Sequence, residues 1–483
     1  MRLFPLSAIL AASALILTGC DDDDDDPVVV PPPELTMSYV RVIHASPDAP
    51  KVNVLVDEAT VLSEVDYQHA SSLLALPSGS HRIRVEGILA DGTTATVFDA
   101  TLTLDPDIEY NITATGLVAS LLAGSGPTPF SPVVVPRNLL TDDPTMLRLQ
   151  VAHAAPAVGN VGVHVTGPDD ELSAATELTE LNFGEFTETP VMVDTGTYRI
   201  RLTDPDDASV VAYDSGALPL TDAADLFIAA VANTQSGAAP VNLLVADNAV
   251  DENGNDAAII QDVNLGSGLR ATHGISAVGG VDIWVNGSAP AMDSPLYNLT
   301  FANTTPARGY LDLASGDYQI QVALNATTDV VIDIPALTLM PGRAYSATAV
   351  FDAMGAPTLW ALEEDLRSIA TESRLRVQHG SQSAGNVDIY LSTDTTPDDD
   401  DIKLSDVPYL AESGILGIPP GTYNLMITPA GDAATIAVGP AELTFEAGMR
   451  YTAIAVDDPA NVTGLATPGI GIGVIGLDGL APE

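Results

Sequence analysis

The stretch Tyr39–Asp57 reads YVRVIHASPDAPKVNVLVD, and three later stretches repeat its plan. They are LRLQVAHAAPAVGNVGVHVT at Leu147–Thr166, LRATHGISAVGGVDIWVN at Leu269–Asn286 and LRVQHGSQSAGNVDIYLS at Leu375–Ser392. Each is an alternating strand ending in a histidine, a turn of small residues and a second alternating strand. The histidines, His44, His153, His273 and His379, are 109, 120 and 106 residues apart. That period matches one β-sandwich domain of about 100 residues. Repetition at a fixed period governs the whole architecture. The expected fold is therefore all-β: a tandem array of four Ig-like β-sandwich domains.

Two further blocks recur in the same order. PSGSHRIRV at Pro77–Val85 returns at Asp194–Leu202, Ala314–Val322 and Pro419–Ile427. In each, a glycine turn leads into an alternating strand. Tyr198, Tyr318 and Tyr423 follow that glycine, with His81 in the first copy, and are expected to fill equivalent framework positions. The third block is an apolar strand, a turn and a run of small and β-branched residues. It lies at Leu102–Gly116, Leu218–Ala232, Leu337–Val350 and Leu443–Val456. About seven short strands per repeat is the sandwich signature.

Ahead of the repeats, Arg2 precedes an apolar stretch from Leu3 to Leu17, too short to span a membrane and built like a secretion signal. It ends Leu17-Thr18-Gly19-Cys20, which resembles the lipobox of bacterial lipoproteins. The resemblance implies cleavage before Cys20 and acyl chains on it. Cys20 is the only cysteine, so no internal disulfide can form, and lipidation explains an otherwise odd exported thiol. Asp21 to Asp26 and the prolines from Pro27 to Pro33 read as a self-repelling, extended tether. The expected partition is signal 1–19, tether 20–37 and sandwiches 38–140, 141–264, 265–366 and 367–483. With lipid on Cys20, the expected place is the cell envelope, at the outer membrane or cell surface. Asp21 resembles an inner-membrane retention signal and keeps that membrane open.

The formal charge of −48 comes from 65 acidic against 17 basic side chains. Such a surface repels nucleic acid and anionic headgroups, leaving an unidentified protein or glycan as the expected partner.

The opening Arg41-Val-Ile-His44-Ala-Ser-Pro-Asp-Ala-Pro50, followed by Val-Asn-Val-Leu-Val-Asp57, resembles the domain of unknown function 4397 family. The resemblance implies an Ig-like sandwich and export, and brings no established activity. It weakens in later copies, where Ser46-Pro47-Asp48 becomes Ala155-Pro156-Ala157, Ile275-Ser276-Ala277 and Ser381-Gln382-Ser383.

The recurring histidine is the main chemical candidate. Nine residues beyond each lies Asn53, Gly162, Asp282 or Asp388. If the two strands form a hairpin, each histidine faces that position across it. In the last two copies this would pair imidazole with carboxylate. The expected role is structural, the imidazole fixing the turn by bonding backbone or the facing acid. One imidazole per domain cannot build a zinc site, which needs three or four convergent ligands. Gly471, Gly473 and Gly476 match a dinucleotide-loop spacing but lie in a glycine-rich tail without a βαβ context. Trp284 and Trp360 are expected in core or domain-interface packing. The expected function is binding, adhesion or scaffolding without catalysis or cofactor. The alternatives are a hydrolase-type envelope enzyme with its site on loops or at a domain junction, and a spacer stiffened by calcium on acidic loops such as Pro397–Asp401.

Overall fold

In the strand Met37–His44, period-two geometry sends Val40 and Val42 to one face and Arg41 and Ile43 to the other. The valines meet Val54, Val56 and Ile83 of a second sheet and, with Leu104, Tyr110 and Ile112, form the interior of one sandwich. The computed structural model describes residues 35–140, 146–175, 177–252, 254–457 and 470–477. The signal, Cys20 and nearly all of the tether lie outside them.

Among the described residues the chain forms four two-sheet sandwiches of Ig-like type. In each, the histidine-bearing strand belongs to one sheet, the His sheet. In the first sandwich its strand order is Leu74–Pro77, Met37–His44, Ile108–Thr115, Ser131–Asn138, and the second sheet runs Ala59–Val65, Val52–Val56, Gly79–Ile88, Thr94–Leu104. The other His sheets centre on Leu147–His153, Ser267–His273 and Ser373–Gly380, and their second sheets on Gly196–Thr203, Gly316–Leu324 and Gly421–Pro429.

The histidine strand runs parallel to the strand of the third sequence block, as in Tyr39 opposite Glu109 and Ser267–His273 beside Ala344–Phe351. A parallel neighbour requires a long crossover, and the whole second sheet serves as that crossover. At the start of the first sandwich, Asp107 N–H donates to the Met37 carbonyl, and Leu139 N–H donates to the Asp107 carbonyl. The chain thus enters and leaves this sandwich at the same end.

The four sandwiches of the tandem array do not stand apart from one another. Residues Thr36–Glu483 form one compact unit, and His sheets meet face to face. Ile43 and Val135 of the first sandwich share an apolar cluster with Ala152, Phe227, Ala229 and Leu244 of the second. The third and fourth sandwiches meet through the same sheets, where Thr272 and Thr348 face Gln378 and Thr452. The physical reason lies in the outward-facing residues. They are largely apolar or paired, so these strands are buried on both faces and read as continuous apolar runs, such as Leu226-Phe-Ile-Ala-Ala-Val231.

Candidate functional site: the histidine turns and the faces they hold

Each histidine is the last residue of its strand, or in the case of His379 the last but one, where the chain turns toward the second sheet. Its Nε2 bonds the carbonyl six residues on, at 3.0 Å for His44 and Pro50, 2.9 Å for His153 and Gly159, 3.0 Å for His273 and Gly279, and 2.7 Å for His379 and Gly385. In the last three sandwiches Nδ1 accepts the N–H two residues on, at Ala155, Ile275 and Ser381. The proton therefore sits on Nε2. An aromatic edge covers each ring: Tyr67, Phe183, Phe301 and Tyr409, with centroids 6.0–6.3 Å away. Burial pushes all four imidazoles below their ordinary pKa, His44 to about 4.

The expected hairpin does not form. The strand that follows each histidine belongs to the other sheet, because valines on the inner face of each strand must meet across the core rather than along one sheet. His273 and Asp282 are therefore not cross-strand neighbours, nor are His379 and Asp388. The position nine residues on has its own task, which is to gather N–H donors from neighbouring turns and strands. Asp282 accepts from Asn298 N, Ala326 N and the Asn325 amide at 2.8–2.9 Å. Asp388 accepts from Asp406 N and Gly431 N at 2.7 and 3.0 Å, and Asn53 from Glu64 N at 3.1 Å. Gly162 lacks a side chain, and a carbon added there would stand 2.6 Å from a Glu177 carboxylate oxygen.

The mid-repeat aromatics are equivalent in geometry. Tyr198, Tyr318 and Tyr423 donate to the carbonyl four residues back, at 2.7, 2.8 and 3.0 Å, and His81 makes the same link to Pro77 at 2.7 Å. This is the logic of a tyrosine corner, a hydroxyl tying a turn to its own strand.

The Ser46-Pro47-Asp48 turn is particular to the first sandwich for a structural reason. Asp48 accepts Val118 N and Ala119 N at the start of the short helix Val118–Ala123, and Ser46 donates to Gly116 O at 2.6 Å. Burial, countered by those N–H bonds, raises the Asp48 pKa. Onto this turn docks Arg367, from the join between the third and fourth sandwiches. It donates to the Pro47 carbonyl at 2.9 Å, to the Ala49 carbonyl and to Asp66 at 2.6 Å, while Ala370 N–H reaches Asp48 O at 2.8 Å.

Sequence reasoning missed the arginines between the sheets. Arg41 contacts Glu109 at 3.2 Å and Asp256 at 2.8 Å; Arg137 contacts Glu109 at 2.7 Å and Asp225 at 2.9 Å; Arg148 reaches Asp225 at 2.8 Å. These six side chains are at most 11 % exposed and join the first two sandwiches in one alternating network. Arg376 plays the corresponding part between the last two, bonding Glu363 O at 2.8 Å and the Glu364 carboxylate at 3.2 Å. A signal was present: Arg41, Arg270 and Arg376 each stand three residues before the histidine, in a chain with only 17 basic residues.

Of the remaining candidates, Trp284 and Trp360 are half-buried on strands of the third sandwich. Gly471, Gly473 and Gly476 lie in Ile470–Leu477, a strand antiparallel to Arg450–Asp457. In the Pro397–Asp401 loop, Asp398 and Asp401 bond backbone N–H groups of the loop itself. No group of three or more His, Cys, Asp or Glu side chains among the described residues converges as a metal ion would need.

A family model described as a domain of unknown function (DUF4397) matches residues 38–164 and 267–390. Each match runs from one histidine strand through the next sandwich's histidine turn. A solved structure of a candidate cell adhesion protein from Bacteroides ovatus is similar at 12 % identity, over 46 % of this chain and 98 % of that one, with a TM-score of 0.17. No curated protein matches the chain.

Proposed function

Because the chain belongs to the DUF4397 family, which is defined without an activity, we propose that it is a non-catalytic protein of the cell envelope. Lipid on Cys20 holds it to the membrane, and the sandwiches present their outer faces and loops to a protein or glycan partner. The observation that carries this reading is how the recurring polar residues are used. Each imidazole and each Asn53, Asp282 or Asp388 is engaged in a bond within its own sandwich. An acid–base site needs such groups convergent and open to a substrate. Loops held by a rigid scaffold instead suit recognition.

Cell fractionation and protease shaving test the proposal together. Wild-type protein is expected in the membrane fraction and Cys20→Ser in the soluble or uncleaved pool, with the sandwiches folded in both. Loss of the sandwiches from shaved intact cells supports presentation at the surface, and crosslinking then identifies the partner. Unchanged fractionation of Cys20→Ser would remove the lipid anchor from the proposal.

A further inference from the structure

The interior of the third sandwich is underfilled at one defined point. Two residues before each histidine the chain carries Val42, Val151, Ala271 and Val377. Their partners on the parallel neighbouring strand are Ile112, Ile228, Ala347 and Ala453. Only the third sandwich sets alanine against alanine. All four pairs belong to the cores between their two sheets. A cavity of about 50 Å³ opens beside Ala271 and Ala347, bounded by aliphatic side chains that include Ile283, Ile320, Val322 and Leu359. In the second sandwich, where Val151 and Ile228 occupy these positions, the corresponding space is about 10 Å³.

A buried water needs two or more polar partners, and an apolar cavity of this kind stays dry and accepts apolar guests. The wall of this one is aliphatic throughout. We propose that the interior of the third sandwich is a binding site for a small apolar molecule of xenon or short-hydrocarbon size, seated between Ala271 and Ala347. Dispersion contacts missing from the wall supply the attraction. Selectivity follows from size and from the lack of any hydrogen-bonding group, so polar molecules of equal volume are excluded. The site is independent of any partner at the outer faces.

Xenon is the probe. In methyl-labelled full chain, rising xenon pressure is expected to give saturable shifts at Ala271, Ile283, Ile320, Val322 and Leu359. The methyls of Ile43 and Val135, in the face between the first two sandwiches, are expected to stay unmoved. Ala271→Val with Ala347→Ile restores the side chains of the first two sandwiches and is expected to weaken xenon binding at least tenfold. Should that pair not fold, Ala271→Val alone is expected to weaken binding in the same direction. Wild-type methyls unmoved by xenon, shifts confined to other sites, or undiminished binding in the filled variant would each overturn the proposal.

Discussion

The guanidinium carbon of Arg367 lies 4.9 Å from the centre of the Tyr67 ring, joining the start of the fourth sandwich to the first. The Tyr67 ring also covers His44, and its hydroxyl donates to the Ala232 carbonyl of the second sandwich at 2.6 Å. One arginine and one tyrosine thus tie three sandwiches together around a single turn.

Arg367→Ala leaves the Pro47 and Ala49 carbonyls and Asp66 without their donor. Asp66 is 45 % exposed and keeps the Tyr67 N–H, so the cost falls on the two buried carbonyls left unsatisfied, about 2–3 kcal/mol in all. Urea denaturation is expected to show a loss of that order, with faster proteolysis across 361–373. Arg367→Lys keeps the charge but not the planar fork, so it is expected to recover less than half. Equal stability of all three proteins would show that the docking contributes little.

Arg41 and Asp256 are both fully buried and 2.8 Å apart. Burial pushes the Asp256 carboxyl up while Arg41 holds it down. Arg41→Ala is expected to cost about 3–5 kcal/mol, because it strands the Asp256 carboxylate between the sheets, and Asp256→Ala to cost less, because Glu109 still holds Arg41. The double substitution is expected to cost well under the sum. A double-mutant cycle in denaturant measures this directly, and additive losses would mean the two groups are not coupled.

The histidines set a pH dependence whose sign follows from burial. An unfolded imidazole takes up its proton near pH 6.5, whereas His44 does so only at about 4. Its contribution is therefore whole above pH 6.5 and is lost as the pH falls toward 4, amounting to about 3 kcal/mol at the lower limit. The other three imidazoles act in the same direction. His44→Gln is expected to flatten the slope of stability against pH across that window, while the slope below pH 4, set by carboxylates, persists. An unchanged slope between pH 6.5 and 4 would refute the assignment.

Asp282 illustrates the donor-gathering position. Burial acts to raise its pKa, yet the Asn298 and Ala326 N–H groups and the Asn325 amide hold it below the ordinary carboxylate value. Asp282→Ala leaves three donors unmet and is expected to cost about 2–3 kcal/mol. Gly162→Asp is not a gain of the same feature, because the Glu177 carboxylate already stands there. It is expected to destabilise the second sandwich, and thermal melting of the two variants checks both signs.

The repeat period and block order made the two-sheet sandwiches legible, because strand alternation and turn residues are local properties. Pairing between sandwiches was less legible. It depends on the outer faces of strands such as Met37–His44, where Ile43 reads as ordinary alternation until Phe227 and Leu244 are placed against it. The turn carbonyls that hold His44 and its counterparts belong to loops with no periodic signal. The hairpin expectation failed because sequence spacing alone cannot tell a strand that returns along its own sheet from one that crosses to the other. Arg367 was unreadable for a similar reason: its partners lie some 300 residues away.

The shared end at which the chain enters at Met37 and leaves at Leu139 bears on how such a protein grows. With two inter-strand steps between its entry and exit strands in that sheet, entry and exit stand about 10 Å apart. A whole sandwich is then an excursion that starts and finishes at nearly one place. Copying or excising it leaves the route of the remaining chain almost untouched, which makes duplication in register an inexpensive way to lengthen the protein.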